Sequence, residues 1–227
     1  MRDEDAFLFL IVGNINLRLN TIFFLLENGI TDGVLPLQRT VFEMQIAFKA
    51  YSNSEKKEDF LQAYFSKKGF ESSIKWEKVL NSDDSNLFSK EEREKLADFK
   101  NDYEKSIKER FTMSPYKIWY EIASDKSLKV LSDTFYNGIE YFSNYDELSN
   151  WVHPQRLEEN LNATNLTQRL PDEYLNLLIG SLMWDIKNLV DDVAFIANHY
   201  KVSQSQPLFN YGKNIEEFSK KLGELAK

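Results

Sequence analysis

Leu35-Pro-Leu-Gln-Arg39-Thr-Val-Phe-Glu43-Met-Gln-Ile-Ala-Phe-Lys49-Ala-Tyr51 carries charge only at Arg39, Glu43 and Lys49, and its apolar residues point in nearly every direction around a helix. A helix apolar on nearly all sides is buried, and a buried helix needs other elements packed around it. Outward from this stretch, nearly every segment fits the helical period and none shows sustained period-two alternation. The expected fold is therefore all-α, a single helical bundle of roughly six to eight helices within one domain spanning residues 1–227.

The boundaries follow from capping and turn chemistry. A first helix runs from about residue 4 to Glu27 and stops at Asn28-Gly29, since glycine takes up the positive φ that ends a helix. The second begins near Leu35, with Pro36 accommodated in its first turn, and reaches Tyr51. A third spans Lys56 to Leu80, before the turn-rich stretch Asn81 to Asn86. Ser89-Lys-Glu-Glu92 has capping-box spacing and opens a helix to Phe111. The pairs Glu91/Lys95 and Glu104/Lys108 mark it as a solvated helix or a protruding charged arm over residues 89–111. Ser114-Pro115 starts a short helix carrying Trp119 and Tyr120, and a later helix ends at His153-Pro154. Pro171-Asp172 opens a long helix to about Lys201, and Asn214-x-x-Glu217 caps a final one. The loops around 81–88 and 154–171 are the candidate boundaries, each short enough to lie within one bundle.

Composition removes several functions. The chain has no cysteine, which excludes disulfides, thiolate metal sites and a cysteine nucleophile. Its net charge of −8 opposes broad wrapping of nucleic acid, which needs a basic face, while leaving room for a small basic cleft. The longest apolar run, Ala6 to Val12, is far shorter than the roughly 18 residues of a spanning helix. Acidic residues follow Met1-Arg2 where a secretory signal would be basic, so a cytoplasmic protein without a membrane segment is expected.

Two polar constellations stand out. In Tyr145-Asp-Glu-Leu-Ser149-Asn-Trp-Val-His153-Pro154, polar groups recur every fourth residue and form one stripe of a helix. Pro154 disfavours helical backbone at His153, so the last carbonyls of the helix sit beside an imidazole that their dipole would keep protonated. Such a group can be an acid, a base, a phosphate ligand or a plain helix cap. Arg39 and Glu43, one turn apart, read either as a structural ion pair or as an anion-binding guanidinium oriented by a carboxylate. His199 is a secondary candidate. Asp191-Asp192 reads as surface, like Glu158-Glu159. No Glu-x-x-His or His-Glu-x-x-His spacing, nucleophile elbow, phosphate-cradling loop or dinucleotide fingerprint occurs, so neither metal nor cofactor is expected.

The arrangement Leu25-Leu26-x-x-Gly29, Leu37-x-Arg39-x-x-Phe42-Glu43 and Tyr145-x-x-x-Ser149-x-x-x-His153-Pro154 resembles an uncharacterised family of bacterial helical proteins, over about residues 15 to 160. The resemblance implies an all-α fold and marks Arg39, Glu43, Ser149 and His153 as the recurring polar positions, without supplying a reaction. More distantly, a helical bundle with an Arg and a His is similar to the HEPN superfamily of toxin and phage-defence systems. The usual order there is Arg before His on one helix, whereas here the nearest following arginine is Arg156.

Three functions remain open at this point. One is a recognition or regulatory protein whose Arg39, Glu43, Tyr145, Ser149 and His153 form one site for an anionic ligand or a protein partner. Another is a metal-independent ribonuclease acting on RNA, with His153 as acid or base and Arg39 stabilising developing phosphorane charge, a reading that a homodimer would suit. The third is a structural helical protein in which these residues specify packing.

Overall fold

The computed structural model describes residues 2–30, 33–82, 88–149 and 172–202, together with isolated positions between 210 and 221. Among them every regular element is helical. The chain divides into two compact units, one of residues 1–52 and 128–227 and the other of residues 53–127.

The first unit is built around α2 (Val34–Ser52), against which α1 (Asp3–Glu27) packs. Residues 28–30 close α1 as anticipated. Gly29 has φ of 70°, its N–H donates to the Leu26 carbonyl and the Ile30 N–H to the Leu25 carbonyl, the double closure that lets a chain reverse. Phe7, Ile15 and Ile22 of α1 and Phe42, Ile46 and Phe48 of α2 are fully buried. Although no long apolar run predicted it, α1 is by length and composition capable of crossing a membrane. Here one face of it forms core with α2.

Further on come α6 (Leu128–Phe135), α7 (Gly138–Tyr141), a π-helical turn (Phe142–Asp146) and α8 (Glu147–Ser149). The last long helix, α9 (Asp172–His199), packs on both α1 and α2. Aromatic contacts knit the layers: Phe42 tilts against Trp184 at 5.1 Å, and Phe48 meets Phe195 edge-on at 5.7 Å.

The second unit holds α3 (Lys57–Asn81), α4 (Lys90–Phe111) and α5 (Trp119–Ser124). The Ser89/Glu92 capping box forms as read, and α4 lies along α3 with Ile107 as its buried residue. Ala63, Ile107 and Ile122 make the local core, with Phe111 and Trp119 against it. Close approach of the long helices depends on Gly69, where an added Cβ would meet the Tyr103 ring at 2.3 Å. The short helix expected from Ser114-Pro115 begins only at Trp119, and ahead of it the Pro115 carbonyl accepts from the buried Lys67 ammonium at 2.7 Å. Burial there lowers the Lys67 pKa, opposed by Glu71.

Candidate functional site

Arg39 lies in the first half of α2, half-buried and facing the helical run Phe142–Ser149. Its Nε donates to Ser149 Oγ at 2.8 Å and its Nη2 to Tyr145 Oη at 2.6 Å. The guanidinium carbon also stands 4.2 Å from the centre of the Tyr145 ring, within cation–π range. Tyr141 stacks on the far side of the aromatic wall, 5.2 Å from Tyr145, and Phe42 closes it at 6.4 Å. Two bonds and a ring face therefore hold the arginine, and both bonds go to hydroxyls rather than to Glu43. The N–H groups of Nη1 have no acceptor among the described residues, so the cation keeps donors for another group. Glu43 sits half-buried one turn farther along α2.

The π-helical turn alters the expected regular stripe. Glu147 N–H donates to the Phe142 carbonyl, an i to i+5 bond, so the backbone widens between Phe142 and Asp146. Ser149 restores order at its end, donating to the Tyr145 carbonyl at 2.5 Å while accepting from Arg39. Its hydroxyl rotor is thus set by the backbone on one side and the guanidinium on the other. Arg39, Tyr145 and Ser149 come together as the sequence suggested. His153 lies outside the described residues. His199 is elsewhere, 3.7 Å from Glu4 at the start of α1.

A second polar layer escaped the sequence reading. Gln38, one residue from Arg39, is fully buried and donates to the fully buried carboxylate of Asp185 on α9. Gln45, two turns on, donates to the Asp185 backbone carbonyl at 2.7 Å. Farther along α9, Asn188 accepts from Tyr136 Oη at 2.5 Å. Asp192 was expected at the surface and is instead 3% exposed, while its neighbour Asp191 is exposed and pairs with Lys49 at 3.8 Å. Helical spacing explains the correction: Asp185, Asn188 and Asp192 share the face turned toward α2, and Asp191 does not. Burial pushes Asp185 well above the carboxylate range. It pushes Asp192 up to about 8, against the pull of Lys49 and with the help of Asp191. Tyr136, ringed by the same carboxylates, is raised too, first by burial. The seven-residue intervals Gln38/Gln45 and Asp185/Asp192 were the available signal.

No group of three or more His, Asp or Glu residues able to hold a metal ion occurs among the described residues. The model of a family of unknown function, DUF5677, matches residues 5–168, a span that contains Arg39, Glu43, Tyr145, Ser149 and His153. The chain belongs to this family. No curated protein and no solved structure matches it. Within this DUF5677 chain, Gln38, Arg39 and the hydroxyls of Tyr145 and Ser149 lie inside the family span, whereas the acids of α9 lie beyond it.

Proposed function

We propose that this DUF5677 chain is a helical recognition protein whose Arg39 binds an anionic group, a carboxylate or phosphate, offered by a small molecule or a protein partner. The observation that carries the reading is the way Arg39 is held, by two hydroxyls and a ring face, with donors remaining. A guanidinium oriented by neutral acceptors keeps its charge for a ligand, and its planar fork suits two-point binding of an oxyanion. The aromatic wall adds a surface on which a planar group joined to that anion could rest.

The test is calorimetric titration of the full chain with inorganic phosphate, pyrophosphate and ATP, alongside Arg39→Lys and Arg39→Gln. Arg39→Gln is expected to weaken the tightest of these by about tenfold or more, the loss of one charge-assisted pair. Arg39→Lys, which keeps the charge but loses the fork, should recover only part of it. Equal affinity in all three proteins, or none in any, would remove Arg39 from this role. The ribonuclease reading rests on His153 and draws no support from the described residues; RNA cleavage by the full chain that His153→Ala abolishes would favour it.

A further inference from the structure

α1 is apolar on two opposite faces. One face is core, as described above. The other carries Phe9, Leu10, Leu17, Phe23 and Phe24, of which Leu17 and Phe24 are each 62% exposed. Exposed contiguous apolar surface of this kind marks an interaction site. Between Ala6 and Leu26 the only ionised side chain is Arg18, which helical spacing turns away from this face and which bonds to Asn14 Oδ1 at 3.0 Å. Two such faces can therefore meet without like-charge repulsion, although the chain as a whole is acidic.

The pattern of this open face is symmetric about its middle. Leu10, Leu17 and Phe24 run along one edge, evenly spaced on either side of Leu17. Along the other edge run Phe9, Asn16 and Phe23, evenly spaced on either side of Asn16. Gly13 and Asn20 lie between the edges, equally far from the midpoint of Asn16 and Leu17. A face that reads alike in both directions is complementary to itself turned end for end, as a two-fold axis requires. Gly13 is an independent sign. It stands mid-helix, where glycine weakens the helix relative to alanine, and an added Cβ would meet nothing within 4 Å among the described residues. Packing within the chain does not call for the missing methyl, whereas close approach of another backbone does. At the margin, Asn14 and Thr21 already donate to the carbonyls of Leu10 and Leu17, at 2.7 and 2.9 Å, so covering the face strands neither.

We infer that two copies of this chain pair through the outer faces of α1, antiparallel about a two-fold axis between Asn16 and Leu17. On one side of the axis Leu17 meets the partner's Leu17, and Leu10 packs on the partner's Phe24. On the other, Phe9 packs on the partner's Phe23, and Asn16 meets the partner's Asn16, each amide offering a donor and an acceptor in a polar pair that fixes the register. Gly13 leaves room for the partner's Asn20. The exposed Phe and Leu side chains leave about 500 Å² open in each copy, so pairing closes about 1,000 Å² before the rim is included, enough for a specific interface. The ends of α1 favour a protein over anionic lipid: Asp3, Glu4, Asp5 and Glu27 stand where a helix lying on a membrane carries lysine and arginine.

Sedimentation equilibrium of the full chain is expected to show a reversible monomer–dimer equilibrium. Leu17→Glu should raise its dissociation constant at least about 100-fold, since the axis introduces the change twice at about tenfold each. Circular dichroism checks that this substitution at an exposed position leaves the helices intact. Register is read by cross-linking, as the chain has no cysteine of its own. Leu17→Cys alone should form a disulfide between copies on mild oxidation. Leu10→Cys alone should not, whereas Leu10→Cys mixed with Phe24→Cys should give the mixed disulfide. A chain that stays monomeric up to about 100 μM overturns the inference, as does a dimer that Leu17→Glu leaves unchanged. Self-linking of Leu10→Cys, the mark of parallel helices, overturns it too. Association that arises only with lipid vesicles assigns the face to a membrane surface and likewise overturns the inference.

Discussion

Replacing Asp192 by asparagine tests whether the layer between α2 and α9 holds neutral acids. In the folded chain Asp192 is pushed up to about 8 from an ordinary value of 3.8, chiefly by burial. Between those two values the folded state keeps the proton and the unfolded state does not. Folding then takes up a proton, so the stability contributed by this group is complete below the unfolded value and is lost as pH rises through the folded one. The slope for one such group is about 1.4 kcal/mol per pH unit, hence up to about 3 kcal/mol between about pH 5 and pH 7. Asparagine does not titrate and removes that component. Urea unfolding of both proteins at several pH values gives the difference in stability, wild type minus Asp192→Asn. That difference should fall with rising pH across this window and level off above about 8. Any fixed cost of fitting the amide shifts the whole curve without altering its slope. Parallel curves for the two proteins, or a difference that grows with pH, would refute a buried protonated Asp192.

Two further substitutions probe the second unit. Gly69→Ala should destabilise by about 1 kcal/mol in the native background, because the new methyl meets the Tyr103 ring and the crowding exceeds the gain in helix propensity. Combined with Tyr103→Ala, the same change should stabilise by about 1 kcal/mol, and a double-mutant cycle by urea unfolding separates the two effects. Ser89→Ala removes the acceptor of the Glu92 N–H and should cost about 1 kcal/mol, read as a lower thermal midpoint.

The elements most legible in the sequence were those with local determinants. Asn28-Gly29 announced the end of α1, and Ser89/Glu92 the start of α4, because each signal acts within a few residues of itself. The grouping of Arg39 with Tyr145 and Ser149 was legible for a different reason: a buried guanidinium needs acceptors, and a helix rich in hydroxyls was the available supply. What was missed depended on pairing across helices. Gln38 and Gln45 are uncharged and sit among apolar residues, so nothing local distinguishes a buried amide from an exposed one. Asp192 looked like surface because it follows another aspartate, yet adjacent helical residues point about 100° apart, and only one of the two could face solvent. The π-helical turn was illegible for a similar reason, as residues 142–146 read equally well as regular helix.

The two polar layers on α2 are mechanically linked. Gln38 bonds to the Asp185 side chain and Gln45 to its backbone carbonyl, so both amides engage the same residue of α9. Rotating α2 about its axis would break both bonds among fully buried groups, stranding groups that each cost about 1–3 kcal/mol when buried and unpaired. The rotational setting of α2 is therefore specified more strongly than its apolar face alone could specify it, since leucine, valine and phenylalanine tolerate small turns against their neighbours. Arg39 follows Gln38 directly, so fixing the amide toward α9 fixes the guanidinium toward Tyr145 and Ser149. An arginine on a freely settling helix would have to pay for its orientation when a ligand arrived. Here the buried amides set that orientation during folding, which is the preorganisation that the proposed binding of an anion through a planar fork would require.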